Sequence, residues 1–489
     1  GLVGTYLREN AELSGASTTV PLQLNSAQAA ALAAIRQASG FQPFLLRGIT
    51  GSGKTEVYLR VIADVLAQGQ QALVLVPEIG LTPQLVQRFE QRFPVPIVVL
   101  HSDLSDSNRA RAWLDARYGR ARIVIGTRSA VFVPLPQLGV IVVDEEHDSS
   151  LKQHEGFHYH ARDVAVKRAK LAQVPIVLGS ATPALDTIFN TRNGRYHLLR
   201  LPARVGASQP SIELVNVRGQ KLLNGISTHV LHLIAEHLRD DSQVLVFINR
   251  RGYAPVLLCH ECGWIAQCRR CDARLTLHQK DQRLRCHHCG DESLLPRSCP
   301  SCASHSLLPL GQGTERIDEA LRLHFPDAEV LRIDRDTVRG RGHLEALFDR
   351  IQGGRRQVLV GTQLLAKGHH FPNITLVVII NADQGLFSTD FRASERLAQT
   401  IVQVAGRAGR AQRTGHVIIQ THHPEHPLLQ RLLRDGYAGF AETALEERRS
   451  ASLPPFTALA ILRADAPQEE QAMQFLDGAR QKFVSLHTV

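Results

Sequence analysis

The sequence predicts an α/β protein made of two tandem lobes, each a parallel sheet covered by helices on both faces. Three observations support this fold class. Short apolar strands alternate with helical segments, the alternation restarts after residue 210, and every cysteine falls in one short window. Alternating β and α segments are typical of parallel sheets, because parallel strands need crossover connections. A partial α+β domain is expected after the second lobe.

Each lobe is predicted from short apolar runs that are typical of buried strands. In the first half these runs are Phe44–Leu46, Ala72–Val76, Ile97–Leu100, Ile123–Ile125, Val140–Val143 and Ile176–Leu178. In the second half they are Val244–Ile248, Val330–Ile333, Val358–Val360, Leu376–Ile380 and Val417–Gln420. The predicted linker runs from Leu201 to Pro210, where prolines and a glycine cluster. Two such lobes imply a cleft in which a nucleotide can bind.

The predicted domain organisation has five parts. From the amino terminus these are a linker or remnant (1–22), the first lobe (23–200), the second lobe (201–258 and 303–435) with its insertion (259–302), and part of a C-terminal domain (436–489). The chain begins with Gly1, and its single methionine is Met473. We therefore expect a fragment or a processed form of a longer protein.

Composition favours a partner with a phosphate backbone. The formal net charge is +10, the isoelectric point is near 9.4, and 23 histidines are also present. A basic balance of this kind suits nucleic acids without proving contact with them. No apolar run approaches the roughly 20 residues of a membrane span, and no signal peptide is recognisable.

The first chemical motif is a phosphate-binding loop, Gly48-Ile49-Thr50-Gly51-Ser52-Gly53-Lys54-Thr55, which follows the pattern G-x-x-x-x-G-K-[ST]. It lies between a predicted strand and a predicted helix, which is the context this pattern requires. Backbone N–H groups are expected to surround the phosphates of ATP, Lys54 to reach the β- and γ-phosphates, and Thr55 to bind Mg²⁺. A chance match is the alternative, and this context argues against it.

An acidic motif, Asp144-Glu145-Glu146-His147, follows the predicted strand Val140–Val143. A carboxylate at the end of such a strand is typical of the Mg²⁺ site in nucleotide hydrolases. We expect Asp144 to hold Mg²⁺ and Glu145 to polarise the attacking water. A solvated acidic turn is the alternative interpretation.

All eight cysteines lie within 44 residues and form four C-x-x-C pairs: Cys259/Cys262, Cys268/Cys271, Cys286/Cys289 and Cys299/Cys302. Two such pairs complete one tetrahedral Zn²⁺ site, so the sequence predicts two closed four-cysteine zinc sites. Disulfides and iron–sulfur clusters are the alternatives. Disulfides are disfavoured because the rest of the chain is typical of a cytosolic protein, where thiols stay reduced.

Spacing also predicts which pairs share a metal. The inner pairs, Cys268/Cys271 and Cys286/Cys289, enclose 14 residues with alternating apolar positions. That length suits a hairpin, so the inner pairs should share one zinc and the outer pairs the other. Six arginines and an exposed-looking Trp264 surround the cysteines. They indicate a surface for DNA or a protein partner, or else they simply solubilise a small zinc fold.

The motifs together resemble those of superfamily 2 helicases, whose two lobes are RecA-like P-loop domains. In such enzymes an upstream motif, matched by Asn25 and Gln28, reads adenine. The remaining matches, in chain order, are Pro77-Glu78-Ile79-Gly80-Leu81-Thr82, Gly126-Thr127-Arg128-Ser129, the S-A-T segment Gly179-Ser180-Ala181-Thr182-Pro183, Gly361-Thr362-Gln363 with Lys367-Gly368, and Gln403-Val404-Ala405-Gly406-Arg407-Ala408-Gly409-Arg410.

The D-E-E-H motif, the A-K-G-H-H-F stretch from Ala366 to Phe371 and the four cysteine pairs narrow the resemblance to the bacterial primosomal replication-restart helicases. That resemblance implies an ATP- and Mg²⁺-dependent 3′→5′ DNA helicase that remodels stalled or collapsed forks and initiates primosome assembly. Two alternatives are a double-stranded-DNA translocase or RNA helicase that does not restart forks, against which the cysteine insertion argues, and a structure-specific DNA-binding scaffold with a dispensable ATPase. The resemblance also leads us to expect that the family's N-terminal DNA-binding region is not represented in these 489 residues.

The same resemblance implies the partners and the location. These are forked and single-stranded DNA, single-stranded DNA-binding protein, primosome proteins and the replicative helicase loader. We expect a monomer with no membrane association, cytoplasmic and associated with the bacterial nucleoid.

Two arginines of the last motif, Arg407 and Arg410, are predicted to act on the γ-phosphate. They belong to the second lobe and the phosphate loop to the first, so closure of the lobes would bring a guanidinium to the developing charge. A solvated basic loop is the alternative.

Several further residues are predicted to contact DNA. Thr82, Thr127 and Thr362 follow strands and could hold successive phosphates, supplemented by Arg128, Arg250, Arg251 and Lys367. Ordinary helix caps and turn residues are the alternative for each threonine. Phe157 and Tyr159 lie on a glycine-containing loop, and either stack unpaired bases or pack on the lobe core.

Overall fold

The computed structural model describes residues 23–78, 83–102, 104–202, 210–248, 256–271, 273–278, 281–287, 289–310, 314–333, 343–362, 371, 373–388, 390–409 and 415–486. Five residues with a predicted role in DNA contact or hydrolysis lie outside these ranges: Thr82, Arg250, Arg251, Lys367 and Arg410. Other residues of the helicase-like motifs also lie outside them, namely Ile79, Gly80, Leu81, Gln363, Ala366, Gly368, His369 and His370. The chain separates into two compact units, Gly1–Ala441 and Glu442–Val489. Among the described residues, no helix has the length and hydropathy needed to cross a bilayer.

The first lobe is a seven-stranded parallel sheet in the order β3-β4-β2-β5-β6-β1-β7. Its strands are β1 (Pro43–Gly48), β2 (Gln71–Leu75), β3 (Ile97–Leu100), β4 (Ile123–Gly126), β5 (Leu138–Asp144), β6 (Ile176–Ser180) and β7 (His197–Leu201). Its helices are α1 (Ser26–Arg36), α2 (Lys54–Ala67), α3 (Pro83–Arg92), α4 (Asp106–Arg117), α5 (Ala161–Ala172) and α6 (Leu185–Arg192).

Helices cover both faces of this sheet because successive strand residues point to opposite sides. In β1, Phe44 and Leu46 join a buried cluster with α1 and α2, whereas Leu45 joins a second cluster with α4 and α5. Strands buried on both faces are near-continuous apolar runs, which is how they were predicted.

The second lobe contains a six-stranded parallel sheet in the order β17-β18-β11-β19-β20-β8. These strands are β8 (Ser211–Asn216), β11 (Gln243–Ile248), β17 (Glu329–Ile333), β18 (Gln357–Gly361), β19 (Ile374–Ile380) and β20 (His416–Thr421), with a short hairpin of β9 (Leu222–Leu223) and β10 (Ile226–Ser227). The helices are α7 (Thr228–Arg239), α8 (Thr314–His324), α9 (His343–Gly353), α10 (Asp383–Leu386), α11 (Ala393–Ala405) and α12 (Pro427–Ser450).

All eleven apolar runs predicted as strands coincide with strands of the two sheets, which confirms the α/β fold class. Strands β7 and β8 were not predicted, and β8 begins just beyond the predicted linker. Both lie at a sheet edge, and most of their residues are exposed or half-buried. An edge strand needs no continuous apolar run, because one side of it remains in solvent.

The Cys-rich module is a small β structure inserted in the second lobe. Strands β12 (Leu257–Cys259) and β16 (Leu307–Pro309) pair antiparallel at its base. Strands β13 (Thr276–His278), β14 (Arg283–Arg285) and β15 (Glu292–Leu294) form an antiparallel sheet, so the predicted hairpin is confirmed. Trp264 is half-buried against the module's apolar cluster, which corrects the expectation that it is exposed.

The unit Glu442–Val489 contains the last part of α12 and helix α13 (Glu469–Leu486). The partial α+β C-terminal domain expected from the sequence is represented, within described residues 442–486, by helices alone. Within the first unit, α12 is interrupted at Gly436, whose φ of 64° lies in the left-handed region that favours glycine.

Candidate nucleotide site, zinc centres and nucleic-acid surface

The phosphate-binding loop connects β1 to the amino terminus of α2, as its sequence predicted. Gly51 and Gly53 have φ values of 84° and 82°, which glycine adopts without strain. A Cβ atom on Gly53 would also lie 2.2 Å from Nε2 of Gln28, so a side chain at this position would displace the Gln28 amide. The buried Lys54 donates a hydrogen bond of 3.1 Å from Nζ to the carbonyl oxygen of Gly48.

Gln28 connects helix α1 to this loop. The side chain of Asn25 accepts from the backbone N–H of Gln28 at 2.9 Å, and Oε1 of Gln28 accepts from the N–H of Asn25 at 3.0 Å. This capping box fixes the start of α1. Nε2 of Gln28 donates to the carbonyl oxygen of Ser52 at 2.9 Å. The predicted adenine-reading amide thus contacts the phosphate loop, and its role towards adenine stays a prediction.

Asp144 is the last residue of β5 and lies beside the phosphate loop. The hydroxyl of Tyr58, on α2, donates a hydrogen bond of 3.1 Å to Oδ1 of Asp144. Burial of the carboxyl group and the neighbouring charge of Glu145 raise the pKa of Asp144 to about 6, and the charge of Lys54 and the Tyr58 hydroxyl partly oppose them. Sequence reasoning missed Tyr58, which it treated only as part of a helix.

Glu145 adopts a strained backbone conformation, with φ of 46° in the left-handed region. Such strain in a non-glycine residue is concentrated at functional sites. The hydroxyl of Ser52 in the phosphate loop is buried without a hydrogen-bond partner, and the buried Oε2 of Glu145 lies 3.6 Å from Nδ1 of His147, which is too far for a hydrogen bond. Buried polar atoms of this kind call for a ligand or water.

The residues present fit a magnesium–nucleotide complex. Thr55 and Asp144 would provide a hydroxyl and a carboxylate, the hard oxygen ligands that Mg²⁺ prefers. Thr55 is half-buried in the first turn of α2, while Asp144 ends the strand β5. The orphaned hydroxyl of Ser52 is available to a phosphate oxygen.

His147 joins the acidic motif to the S-A-T segment and to the second lobe. Its Nδ1 lies 2.7 Å from Oγ of Ser180, and its Nε2 lies 2.7 Å from Nε2 of Gln403 in α11. If the Gln403 amide nitrogen donates, the ring accepts at Nε2 and donates from Nδ1 to Ser180. Three segments far apart in the sequence therefore meet at one imidazole.

Glu146, the third residue of the acidic motif, is fully buried and holds the segment that follows S-A-T. Its carboxylate accepts from the N–H of Ala184 and the hydroxyl of Thr187, both at 2.8 Å. Arg162 forms a buried ion pair with it at 3.1 Å. This residue positions the backbone rather than facing the nucleotide site.

The end of α11 and the turn after it lie against the phosphate loop of the other lobe. A Cβ atom on Gly406 would stand 3.0 Å from Oγ1 of Thr50, so glycine allows this close approach. The next residue, Arg407, is buried, with 8 % of its surface exposed. Of the two predicted arginine fingers, Arg407 directly follows the residue that approaches the phosphate loop, and Arg410 lies outside the described residues.

The described candidates for DNA contact differ in their availability. Thr127 is buried and begins the short 3-10 turn Arg128–Phe132, while Thr362 is half-buried just beyond β18. Nη1 of Arg128 donates to the carbonyl oxygens of Ser150 at 3.3 Å and Lys152 at 3.0 Å. Arg128 thus binds the backbone of the segment that leads to the aromatic loop. The motif alone did not predict this contact.

Of the two aromatic residues in this loop, one packs on the lobe core and the other is exposed. Tyr159 packs against the first-lobe core, whereas Phe157 is 78 % exposed and stacks on Tyr159 with ring centroids 6.1 Å apart. Phe132 also contacts Tyr159, at 4.9 Å, and is 53 % exposed. We call Phe132, Phe157 and Tyr159 the aromatic patch. Phe132 was missed because it lies in a different loop.

The eight cysteines form two four-sulfur groups with the nested pairing that the sequence predicted. Sγ–Sγ distances are 3.6 Å for Cys259–Cys302 and Cys262–Cys299, and 3.4 and 3.5 Å for Cys268–Cys289 and Cys271–Cys286. A tetrahedral zinc site with Zn–S bonds of about 2.3 Å needs sulfurs roughly 3.8 Å apart, so both groups fit zinc. None of the eight cysteines forms a disulfide, so the disulfide alternative is wrong.

Comparison with protein families matches three segments of the chain. Residues 25–191 match the DEAD/DEAH box helicase family, 305–412 the helicase conserved C-terminal domain, and 268–293 the PriA DNA helicase Cys-rich region domain. The last match lies on the inner zinc site and its three-stranded sheet.

Curated relatives agree with these matches over most of the chain. The replication restart protein PriA of Haemophilus influenzae is 52% identical over 92% of this chain and 62% of its own length. The corresponding protein of Treponema pallidum is 41% identical over 92% of this chain and 68% of its own length. The chain belongs to the PriA family. It spans about three fifths of the length of its Haemophilus PriA relative.

A solved structure supports the fold alone. RecG bound to a three-way DNA junction aligns with a TM-score of 0.52 and 17% identity, over 90% of this chain and 49% of RecG. This PriA family member thus has two parallel-sheet lobes, each covered in large part by a helicase family match, and a module with two four-cysteine sites in its second lobe.

Proposed function

We propose that this chain is the ATP-dependent DNA helicase motor of a PriA-type replication restart protein. In this proposal it moves 3′→5′, remodels stalled or collapsed forks and initiates primosome assembly. The observation that carries the proposal is the meeting of the phosphate loop, the acidic motif, the S-A-T segment and α11 at one boundary between the lobes.

Each part of that boundary has a task in hydrolysis. Lys54 and the loop amides bind the phosphates of ATP, and Glu145 polarises the attacking water. Arg407, with Arg410, stabilises the charge that develops on the γ-phosphate. Mg²⁺, held by Thr55 and Asp144, would neutralise phosphate charge. The orphaned atoms of Ser52 and Glu145 support this assignment, because bound nucleotide and water would satisfy them.

DNA is proposed to run across both lobes and past the aromatic patch of the first lobe. Exposed aromatic rings stack on bases of any sequence, and neighbouring backbone and arginine donors bind phosphates, which gives sequence-independent tracking. The proposed tracking residues are Thr82, Thr127, Thr362, Arg128, Arg250, Arg251, Lys367, Phe157, Tyr159 and Phe132.

The zinc module is proposed to serve unwinding and partner docking rather than hydrolysis. The proposed partners are forked and single-stranded DNA, single-stranded DNA-binding protein, primosome proteins and the replicative helicase loader. We propose that the protein acts in the cytoplasm, at the nucleoid, where the replication forks lie. We also propose that it is a monomer.

The decisive experiment replaces Lys54 by alanine. Removing the charge that binds the β- and γ-phosphates should abolish DNA-stimulated ATP hydrolysis and unwinding, while DNA binding is retained. Lys170→Ala, at an exposed position of α5, is the matched control and should hydrolyse ATP normally. Hydrolysis by purified Lys54→Ala at the control's rate would contradict the motor assignment.

The same variant separates the motor from the scaffold alternative. A scaffold would still load primosome partners and the replicative helicase at a model fork when Lys54 is alanine. A motor would not load them at forks whose arm must first be unwound. Loading by Lys54→Ala at the wild-type rate on such forks would favour the scaffold.

A further inference from the structure

One face of helix α11 carries three buried polar side chains, and one of them contacts the acidic motif of the nucleotide site. Glu395, Gln399 and Gln403 are spaced four residues apart, so they lie on one face of the helix. Only 5%, 5% and 8% of their respective surfaces are exposed. Polar side chains are buried in this way when they have specific partners. Gln403 contacts His147, and the other two lie towards the segment that follows S-A-T.

Glu395 caps a helix of the opposite lobe. Its Oε1 accepts a hydrogen bond of 2.9 Å from the backbone N–H of Leu185, the first residue of α6. The residue before α6 is Ala184, whose side chain cannot accept a hydrogen bond. A carboxylate near a helix N-terminus is favourable because it pairs with free N–H groups and with the helix dipole. The second lobe thus supplies the acceptor for the Leu185 N–H that the N-cap residue, Ala184, cannot provide.

Tyr437 binds the same turn through a backbone carbonyl group of the turn. Its hydroxyl donates to the carbonyl oxygen of Pro183 at 2.7 Å. Nε2 of Gln399 lies 3.3 Å from both the Tyr437 hydroxyl and Oε1 of Glu395, so it links the two. The turn Pro183–Leu185 is therefore bound by second-lobe groups at its carbonyl and at its N–H.

The acidic motif of the first lobe also binds this turn. The N–H of Ala184, one residue before Leu185, is taken by Glu146 of the acidic motif at 2.8 Å. Two consecutive amides are thus capped by carboxylates from different lobes. Separation of the lobes would remove one cap and leave the other in place.

We propose that Glu395 and Tyr437 are positioning residues that form an interlobe latch on the turn Pro183–Leu185. The latch fixes the S-A-T segment, and through Glu146 and Ser180 the acidic motif, only while the lobes are closed. This inference rests on the proposed motor function, which it deepens by assigning the coupling between closure and hydrolysis to residues that touch neither nucleotide nor the predicted DNA track.

Loss of the latch should lower turnover more than nucleotide binding. Glu395→Ala removes the acceptor for the Leu185 N–H and should lower the DNA-stimulated kcat about tenfold, with KM for ATP changed less than about threefold; tenfold corresponds to about 1.4 kcal/mol. Tyr437→Phe removes one hydroxyl and keeps the ring, so it tests the latch without disturbing packing. Glu395→Gln keeps an acceptor oxygen and should retain kcat within about threefold.

The direct test is hydrogen–deuterium exchange at single-amide resolution on the 489-residue chain. In Glu395→Ala, the Leu185 amide should exchange about tenfold faster, while the Ala184 amide, capped within its own lobe, should not change. Arg392→Ala is the matched control, because Arg392 pairs with Asp186 across the same boundary at 3.6 Å, with 41% and 27% of the two side chains exposed. Its kcat should stay within about twofold.

Exchange requires no hydrolysis, so this readout stands or falls separately from the motor assignment. Faster Leu185 exchange with a lower kcat in Glu395→Ala, and a lower kcat in Tyr437→Phe, would support the latch. Unchanged Leu185 exchange, an unaltered kcat in both variants, or an equal loss in Arg392→Ala would overturn it. Glu395→Gln behaving like Glu395→Ala would also overturn it, because an acceptor oxygen would then be irrelevant.

Discussion

The hydroxyl of Tyr58 donates a hydrogen bond of 3.1 Å to Asp144, directly beneath the strand that leads into the S-A-T segment. A Cβ atom on Gly179 in that strand would overlap the hydroxyl, at 1.4 Å, so the glycine makes room for the contact. Burial and the charge of Asp144 raise the pKa of Tyr58 well above its usual value, so it remains a donor at neutral pH. Helix α2 therefore carries both Lys54, the proposed phosphate-binding lysine, and a hydrogen-bond donor to the predicted Mg²⁺ ligand.

Tyr58→Phe should move the acid limb of ATP hydrolysis to higher pH. Asp144 must be ionised to bind Mg²⁺, and its pKa of about 6 means that kcat/KM falls as pH drops through that value. The Tyr58 hydrogen bond lowers the pKa of Asp144, so its removal raises that pKa. At pH 7.5 the variant should stay within about fivefold of wild type, since one hydrogen bond contributes about 1 kcal/mol.

The measurement is kcat/KM for magnesium–ATP between pH 5 and 8. Tyr118→Phe is the matched control, because Tyr118 is 64% exposed on the same lobe and its profile should not move. An acid limb at the same pH in wild type and Tyr58→Phe would show that the hydroxyl does not tune Asp144.

Asp144→Asn should abolish turnover and yet stabilise the fold. The native state raises the pKa of Asp144 from 3.8 to about 6, so it binds this proton more tightly than the unfolded state does. The free energy of unfolding therefore falls as pH rises from about 4 to 6, and the penalty is complete above 6. Asparagine removes the penalty, which is at most about 3 kcal/mol for two pKa units.

Denaturant unfolding of both proteins at pH 5 and pH 8 checks the sign. The gain in the free energy of unfolding on replacing Asp144 by Asn should be larger at pH 8 than at pH 5. It should also be smaller than the upper limit given above, because the residue is half-buried and water screens part of its charge. A variant less stable than wild type at pH 8 would indicate that a bond made by the carboxylate outweighs its burial.

Local signals in the sequence predicted most of the fold and the chemical motifs. The phosphate loop and each C-x-x-C pair are patterns of a few consecutive residues. Each could therefore be recognised without knowledge of the rest of the fold. Contacts between distant segments could not be found in this way. His147 and Gln403 are 256 residues apart, and Leu185 and Glu395 are 210 apart. Phe132 joins the aromatic patch from a separate loop, which no periodicity indicates.

Arg407→Ala should lower kcat at least about 100-fold while the affinity for ATP changes less than about threefold. The guanidinium is expected to act mainly on charge that develops in the transition state, so ground-state binding loses little. Steady-state hydrolysis with saturating DNA, alongside nucleotide binding by titration, measures the two effects. Arg322→Ala, on an exposed position of α8, is the matched control. Reduced affinity with unchanged kcat would place Arg407 in ground-state binding instead.

Replacing one inner cysteine should empty only the inner zinc site. Cys286→Ser removes one of four thiolates from a group that shares no cysteine with the outer one, so about one zinc per chain should remain. ATP hydrolysis should stay within about twofold, because every nucleotide motif lies outside the module. Unwinding should fall at least about tenfold if the inner sheet separates strands or docks partners. Metal analysis and paired ATPase and unwinding assays measure these effects.

Cys299→Ser in the outer site is the informative comparison, because that site is tied to the motor lobe. His260, between two outer cysteines, has its Nδ1 3.0 Å from Nε2 of His422, whose Nδ1 lies 2.7 Å from Asp383 at the start of α10. Opening the outer site should release this network and lower hydrolysis together with unwinding. Loss of both zincs from folded, monodisperse Cys286→Ser would refute the independence of the sites. Equal fractional losses of hydrolysis and unwinding in Cys286→Ser would show that the inner site, too, is part of the motor.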